Sequence, residues 1–457
     1  MRARNNRPTL ILLALAGAAV LAASARAEAP HIYAITGARI VTAVGPAIES
    51  GTVVIRDGRI EAVGAGVSAP PGAAVVDGKG LTVYPGFIDM GRTSGIELPA
   101  SQPPANPQTR MELERWKRNQ ILRPQVEAAE YLRPDAPEFA RLLAAGITSM
   151  LAVPPGDVVR GQSSLVNLAA AEDAPQIGNI ADERRGLYVV KSPVALHVAF
   201  PARPRGDGYP VSLMGVIGFV RQAFFDASHY RLALNRYERA PHAAPRPVHD
   251  RALEALAASF AARQPVALEA ASAVEIRRAL NLAKEFDLVP IVTGAREADE
   301  VVDDLKAAKA PVVVTLDFPV RPRTLAPDAD ETLETLRARA NAPKVPAALE
   351  KAGVLFAFES GGLREPSDFV RNAAKAVSAG LSPEAAIKAM TINAAVIAGA
   401  SDRVGSVEKG KIANLLLVEG DIFGERMRIR QVFVDGRPVA IEEANARPGG
   451  RGGRGQD

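Results

Sequence analysis

The sequence predicts an α/β protein, a distorted (β/α)8 TIM barrel joined to a small β-sandwich formed by both chain ends. Three observations carry this expectation. Short strands in hairpin grammar occupy both ends of the chain, strand and helix patterns alternate between them, and the number of alternating units suits a closed eight-fold barrel. With 457 residues, 47% of them apolar, the chain can fill a large core.

The first 27 residues stand apart. Arg2, Arg4 and Arg7 precede the apolar run "LILLALAGAAVLAA", and Ala25-Arg26-Ala27 follows. A basic start, a short apolar stretch and small residues at the exit describe a secretory signal over residues 1–27. The run falls short of the roughly 20 residues a membrane anchor needs, so no anchor is expected once the signal is cleaved. Loss of Arg2, Arg4, Arg7 and Arg26 brings the 55 basic side chains down to 51, equal to the 51 acidic ones. A neutral mature chain gives no footprint for nucleic acid. There is no cysteine, hence no disulfide framework and no thiolate chemistry. Periplasmic export is the expected address, with release outside the cell as the alternative.

Residues 28–85 read as the first part of the sandwich. "GTVVIRDGRIEAVG" alternates on both sides of Asp57-Gly58, a pair suited to a tight hairpin turn, and Asp77-Gly78 precedes the strand "LTVYP". Residues 401–443 repeat the pattern in "NLLLVEGD" and "RQVFVDGRPV", turning at Asp435-Gly436. Neither piece can bury a sheet face alone, and together they close a core. Residues 444–457, "ANARPGGRGGRGQD", have no apolar periodicity and read as a solvated Arg/Gly tail.

Between these pieces, residues 86–400 alternate. "APEFARLLAAG" is a helix stopped at Gly146 and "ITSMLAV" the strand after it. "PVALEA" precedes the helix "AVEIRRALNLAKEF", "VPIVTG" precedes "READEVVDDLKAA", and "APVVVTLD" follows. "GVLFAFESGG" leads into "SDFVRNAAKAVSAG" with Ser367 as N-cap, and Ser382-Pro383 opens the first of two short helices. Residues 99–137 and 201–250 are insertions rich in proline and arginine; the second holds a long amphipathic helix. They are expected over the barrel mouth, or else as packing arms or a dimer contact.

"DGRIEAVG", "VYPGFIDM", "AGLSPEAAIKAMTINAA", "DRVGSVEKGKIANLLLVEGD" and "VFVDGRPV" together resemble the amidohydrolase superfamily, and within it the imidazolonepropionase-like branch of exported bacterial members. The resemblance spans residues 31 to 440. It implies hydrolysis of carbon–nitrogen bonds at the carboxyl ends of the barrel strands, where divalent ions generate hydroxide and polarise the carbonyl. In the family a His-x-His pair directly follows "PGFIDM". Here those positions are Gly91 and Thr93, with Arg92 between them. The next ligand strands align Glu269 and Thr293 or Gly294, and the catalytic aspartate aligns with Glu359, or with Gly361 if the register slips by two.

The five histidines do not supply the missing ligands. His31 falls near the amino-terminal strands and His229, His242 and His249 in or near the insertion, leaving His197 on a barrel strand. No pair has metal-ligand spacing, and a lone histidine in an apolar strand is more often a satisfied core residue. The candidate catalytic residues are therefore Glu359 and Glu269, in a pocket with Gly91, Arg92, Thr93, Thr293 and His197. No metal ligand is assigned. A hard divalent ion enters only if the two carboxylates build a non-standard site, and Arg92 is expected to pair with one of them.

Two functions compete on this reading. One is a hydrolase of an amide, cyclic imide or peptide-like bond, with Glu359 as base. The other is a pseudo-enzyme kept as a binding or assembly subunit, forming a homo-oligomer or pairing with a histidine-complete relative. No G-x-G-x-x-G, P-loop or G-x-S-x-G motif supports a cofactor or serine enzyme.

Overall fold

The computed structural model describes residues 31–100, 102–103, 109–133, 137–168, 188–204, 208–326 and 328–441. The expected leader at 1–27 and tail at 444–457 lie outside the described residues.

The chain ends meet in one sheet. Strands β1 (Ile32–Ile40), β2 (Ile48–Arg56), β3 (Arg59–Gly64), β4 (Ala74–Asp77) and β5 (Leu81–Pro85) join β16 (Leu415–Glu419), β17 (Arg428–Val434) and β18 (Arg437–Val439). Their order is β18-β17-β16-β5-β1-β2-β3, with β4 beside β1. The join is the antiparallel pairing of β5 with β16, Leu81 opposite Glu419 and Pro85 opposite Leu415. The strands of the expected sandwich are thus hydrogen-bonded into one eight-stranded sheet with a shared core that includes Ile35, Val53, Val83, Leu415 and Phe433.

Both Asp-Gly hairpins form as expected. Asp57 and Gly58 take φ 48° and 80°, Asp435 and Gly436 take 50° and 75°. The two tips touch, since a Cβ on Gly436 would lie 2.5 Å from the Cα of Gly58. Asp77-Gly78 does not behave this way: β4 ends at Asp77 and the left-handed residue falls at Gly80, φ 75°.

The middle of the chain forms two further sheets. One orders β10 (Tyr188–Lys191), β9 (Ser164–Asn167), β7 (Ile147–Ala152) and β6 (Phe87–Arg92). The other orders β15 (Phe356–Glu359), β14 (Val312–Thr315), β13 (Val289–Thr293), β12 (Pro265–Glu269), β11 (Leu196–Ala199) and β8 (Val159–Gln162). The strands β11 to β15 run parallel to one another, as do β6 and β7.

The expected closed barrel is corrected at two places. Residues 159–167 run as an interrupted strand, β9 antiparallel to β7 and β8 antiparallel to β11, bridging the two sheets where a parallel stave was expected. At the opposite seam, no ladder joins β15 to β6 among the described residues. That seam is held instead by the Asp89 carboxylate, whose Oδ1 accepts the Ser360 N–H at 2.9 Å. The domain is barrel-like, with mixed sheets.

Helices pack outside these strands. Helix Ala273–Glu285 begins with a full capping box between Ser272 and Glu275. Ser382 caps helix Pro383–Met390 through the Ala385 N–H at 3.1 Å. Ser367 occupies the N-cap position of Asp368–Ser378, but its backbone is already helical and its hydroxyl makes no capping bond.

The long helix of the second insertion spans Leu213–Arg239 and buries Val216, Val220, Ala223, Phe224 and Ala227. Phe224 meets Phe260 and Phe286 edge-on, ring centres 5.1 and 5.2 Å apart. This helix is therefore a packing arm on the barrel flank. The first insertion clasps the flank too, since Arg123 N–H bonds Val159 O and Val126 O accepts from Gln162 N–H.

Candidate functional site

Strand alternation builds the site. Along the parallel strands Ala267, Ile291, Val313 and Ala357 share one inner cluster, whereas Leu268, Val292, Val314 and Phe358 face the helix layer. Two residues further along the inner face lie Glu269, Thr293, Thr315 and Glu359. The ladders set them side by side, Glu269 opposite Thr293 and Thr315 opposite Glu359. All four line a pocket of about 330 Å³ together with Gly91, Thr93 and His197. Of the residues singled out from sequence, only Arg92 is not on that lining.

A larger groove of about 550 Å³ lies between helices Ala273–Glu285 and Val302–Ala307, bordered by Arg277, Lys284 and Asp304. Arg277 and Asp304 already pair there at 2.9 Å. Chemistry is assigned to the smaller cavity, where polar groups converge from several strand ends.

Glu359 sits against Gly91. A Cβ on residue 91 would come within 2.3 Å of Glu359 Oε2 and 3.3 Å of its Cβ, so the carboxyl occupies the space of a side chain at that position. Burial pushes Glu359 up to about 8, helped by the Asp89 and Glu269 carboxylates and opposed by Arg160 and the Gly294 N–H. At neutral pH this group is mostly a carboxylic acid. That state differs from the ionised base expected from the alignment.

Glu269 is held by a partner the sequence did not point out. Arg160, on β8, reaches Glu269 Oε2 through Nη2 at 2.7 Å. Its Nε is buried without a hydrogen-bond partner. The signal was present as a single arginine inside "DVVRGQSS", but only the fold brings β8 beside β11 and so toward β12.

Arg92 does not pair with Glu269 or Glu359. Its Nη1 donates to Ser360 Oγ at 2.8 Å and stands 3.5 Å from Asp89 Oδ2, and its Nε donates to Ser94 Oγ at 3.1 Å. The register shift between Asp89 and Arg92 in the β6–β7 ladder turns this side chain toward the seam. Asp89 is fully buried, accepts from Gly91 and Ser360 N–H, and has its pKa raised by burial against the pull of Arg92.

His197 is 6% exposed, and its Nε2 is buried without a hydrogen-bond partner. Burial, then the Arg160 charge, lowers its pKa to about 3. The imidazole is neutral throughout the physiological range. Among the described residues, no group of three or more His, Cys, Asp or Glu side chains is disposed to hold a metal ion.

Parallel strands whose carboxyl ends carry a polar, partly buried pocket define the class of α/β barrel-type proteins that host hydrolytic and other small-molecule sites. Within that class, residues 237–439 match the model of the Amidohydrolase family. An amidohydrolase from Thermotoga maritima MSB8 has a similar structure, with TM-score 0.70 and 24% identity, covering 90% of this chain and 100% of that one. A prolidase complexed with N-methylphosphonate-L-proline gives TM-score 0.52 and 19% identity, covering 90% and 100%. Phenylurea hydrolase B gives 0.50 and 19%, covering 89% and 96%. No curated protein matches the chain. The structural likenesses speak for the fold, and the family match covers residues 237–439, a little under half of the chain.

Proposed function

We propose that this chain is an exported, periplasmic protein of the imidazolonepropionase-like amidohydrolase branch that keeps the barrel pocket as a small-molecule binding site and works without a metal ion. The single observation that carries this reading is the Gly91–Glu359 contact, a carboxyl group packed into the volume of an absent side chain.

The residues present do not fit the divalent ions that amidohydrolases usually bind. Gly91 and Thr93 carry no imidazole, Glu269 is ion-paired with Arg160, and Glu359 would first have to lose a proton it holds up to about pH 8. No step is therefore routed through a metal. The protein serves as a binding or assembly subunit, alone as a homo-oligomer or beside a histidine-complete relative.

A second reading, hydrolysis of a carbon–nitrogen bond without metal, is favoured by one observation. A carboxyl group with its pKa near 8 is suited to donate a proton to a leaving nitrogen at neutral pH, the reverse of a base role. Metal analysis of the dialysed protein and a screen against N-acyl amino acids, cyclic imides and dipeptides test both readings. The metal-free reading expects less than a tenth of an ion per chain and no turnover. Turnover that disappears in Glu359→Gln with unchanged melting would establish the second reading, and about one tightly held transition ion per chain would overturn both.

A further inference from the structure

Several hydrogen-bond donors converge on the pocket. Arg160 is the less exposed of the two cations on its wall, with a side chain 21% exposed, Nη2 paired with Glu269 and a buried Nε without a partner. On the same lining the Glu359 carboxyl is a donor while protonated, and Thr293 and Thr315 border the cavity too. Arg296 also reaches the lining but is 3.5 Å from Asp317. Glu269 is the carboxyl group that Arg160 already pairs with, and its side chain is half exposed.

A half-exposed glutamate on a partly buried arginine is an exchangeable contact. The glutamate can swing into water at little desolvation cost, whereas the guanidinium, fixed on β8, cannot follow it. The anion that takes its place needs a planar pair of oxygens to engage the guanidinium fork, and it gains a second donor from the Glu359 hydroxyl. The cavity of about 330 Å³ has room for about ten non-hydrogen atoms at a water-like share of about 30 Å³ each.

We propose that the pocket takes a small organic carboxylate, which enters by replacing Glu269 at the Arg160 guanidinium. This rests on the metal-free reading above. A phosphate dianion fits less well, because Arg296, the other pocket cation, already lies near Asp317.

Calorimetry with N-acetylglycine, its neutral counterpart N-acetylglycinamide and inorganic phosphate tests the assignment on the mature protein. The acid should bind about tenfold or more tightly than the amide, the scale of one charge-assisted contact. Glu269→Gln, which removes the competing internal anion, should tighten the acid by about tenfold and leave the amide unchanged. Arg160→Met should abolish the preference for acid, and if that variant does not fold, Arg160→Lys should weaken the acid several-fold through loss of the planar fork. A purely structural ion pair predicts no gain of affinity in Glu269→Gln. Equal binding of acid and amide, tighter binding of phosphate than of acid, no acid binding to either wild type or Glu269→Gln, or an unchanged acid affinity in Glu269→Gln each overturn the proposal. Stoichiometric metal in the same preparation would instead overturn the metal-free reading, so the two failures are told apart.

Discussion

The Glu359 carboxyl and any side chain at Gly91 exclude each other, because the Oε2 of Glu359 lies 2.3 Å from where a Cβ on residue 91 would stand. The two positions are therefore a coupled pair. Gly91→Ala forces the carboxyl out of its seat, and because that carboxyl is the flexible end of its side chain the change should cost about 1 kcal/mol, the low end for overpacking. In a Glu359→Ala background the same alanine should cost much less, giving a coupling of about 0.5–1 kcal/mol in a urea-denaturation double-mutant cycle. Additive effects would show that the two residues do not share this space.

Glu359 also ties stability to pH. Its pKa rises from the ordinary 4.5 to about 8 on folding, so its contribution is fully present below 4.5 and is lost as pH rises through 8. Melting temperatures of the wild type should fall relative to Glu359→Gln between pH 5 and 9, and a constant difference across that range would contradict the assignment.

His197 contributes with the opposite sign. Its pKa falls from 6.5 to about 3, so its neutral form stabilises the fold above 6.5 and that contribution is lost as pH drops toward 3. The ring resonances of His197 should show no titration between pH 5 and 8, and a His197 titration within that range would contradict the assignment.

Between barrel and end sheet lies a buried polar relay. Ser149 Oγ donates to Asn167 Oδ1 at 2.8 Å, Asn414 Nδ2 donates to the same oxygen at 2.9 Å, and Asn167 Nδ2 donates to Asp435 Oδ1 at 2.6 Å. Asn414→Ala would strand the Asp435 N–H, which donates to Asn414 Oδ1 at 2.9 Å, and should destabilise by about 1–3 kcal/mol in denaturant titrations. Burial pushes Asp435 up to about 6, so Asp435→Asn should remove the part of the pH dependence that lies between 3.8 and 6.

Much of the site was legible because strand period two fixes which residues share a face. Glu269, Thr293 and Glu359 each stand two positions beyond a buried inner residue, Ala267, Ile291 and Ala357, and that spacing is written in the sequence. Arg160 was not legible, since its strand runs antiparallel in a segment whose neighbour, β11, begins more than thirty residues later. Asp89 was visible inside "FIDM" as a charge in an apolar strand, yet its role depends on Ser360, 271 residues away.

By itself the sequence determined the hairpins at both ends, the alternating strands and helices, and the absence of imidazole beside Gly91, because these follow from local φ preference, hydrophobic period and residue identity. Only the tertiary structure decided that Arg92 serves the β6–β15 seam, that Arg160 neutralises Glu269, and that Glu359 is held protonated. Charge pairing and burial depend on distances between strands far apart in the chain, and no local pattern encodes those distances.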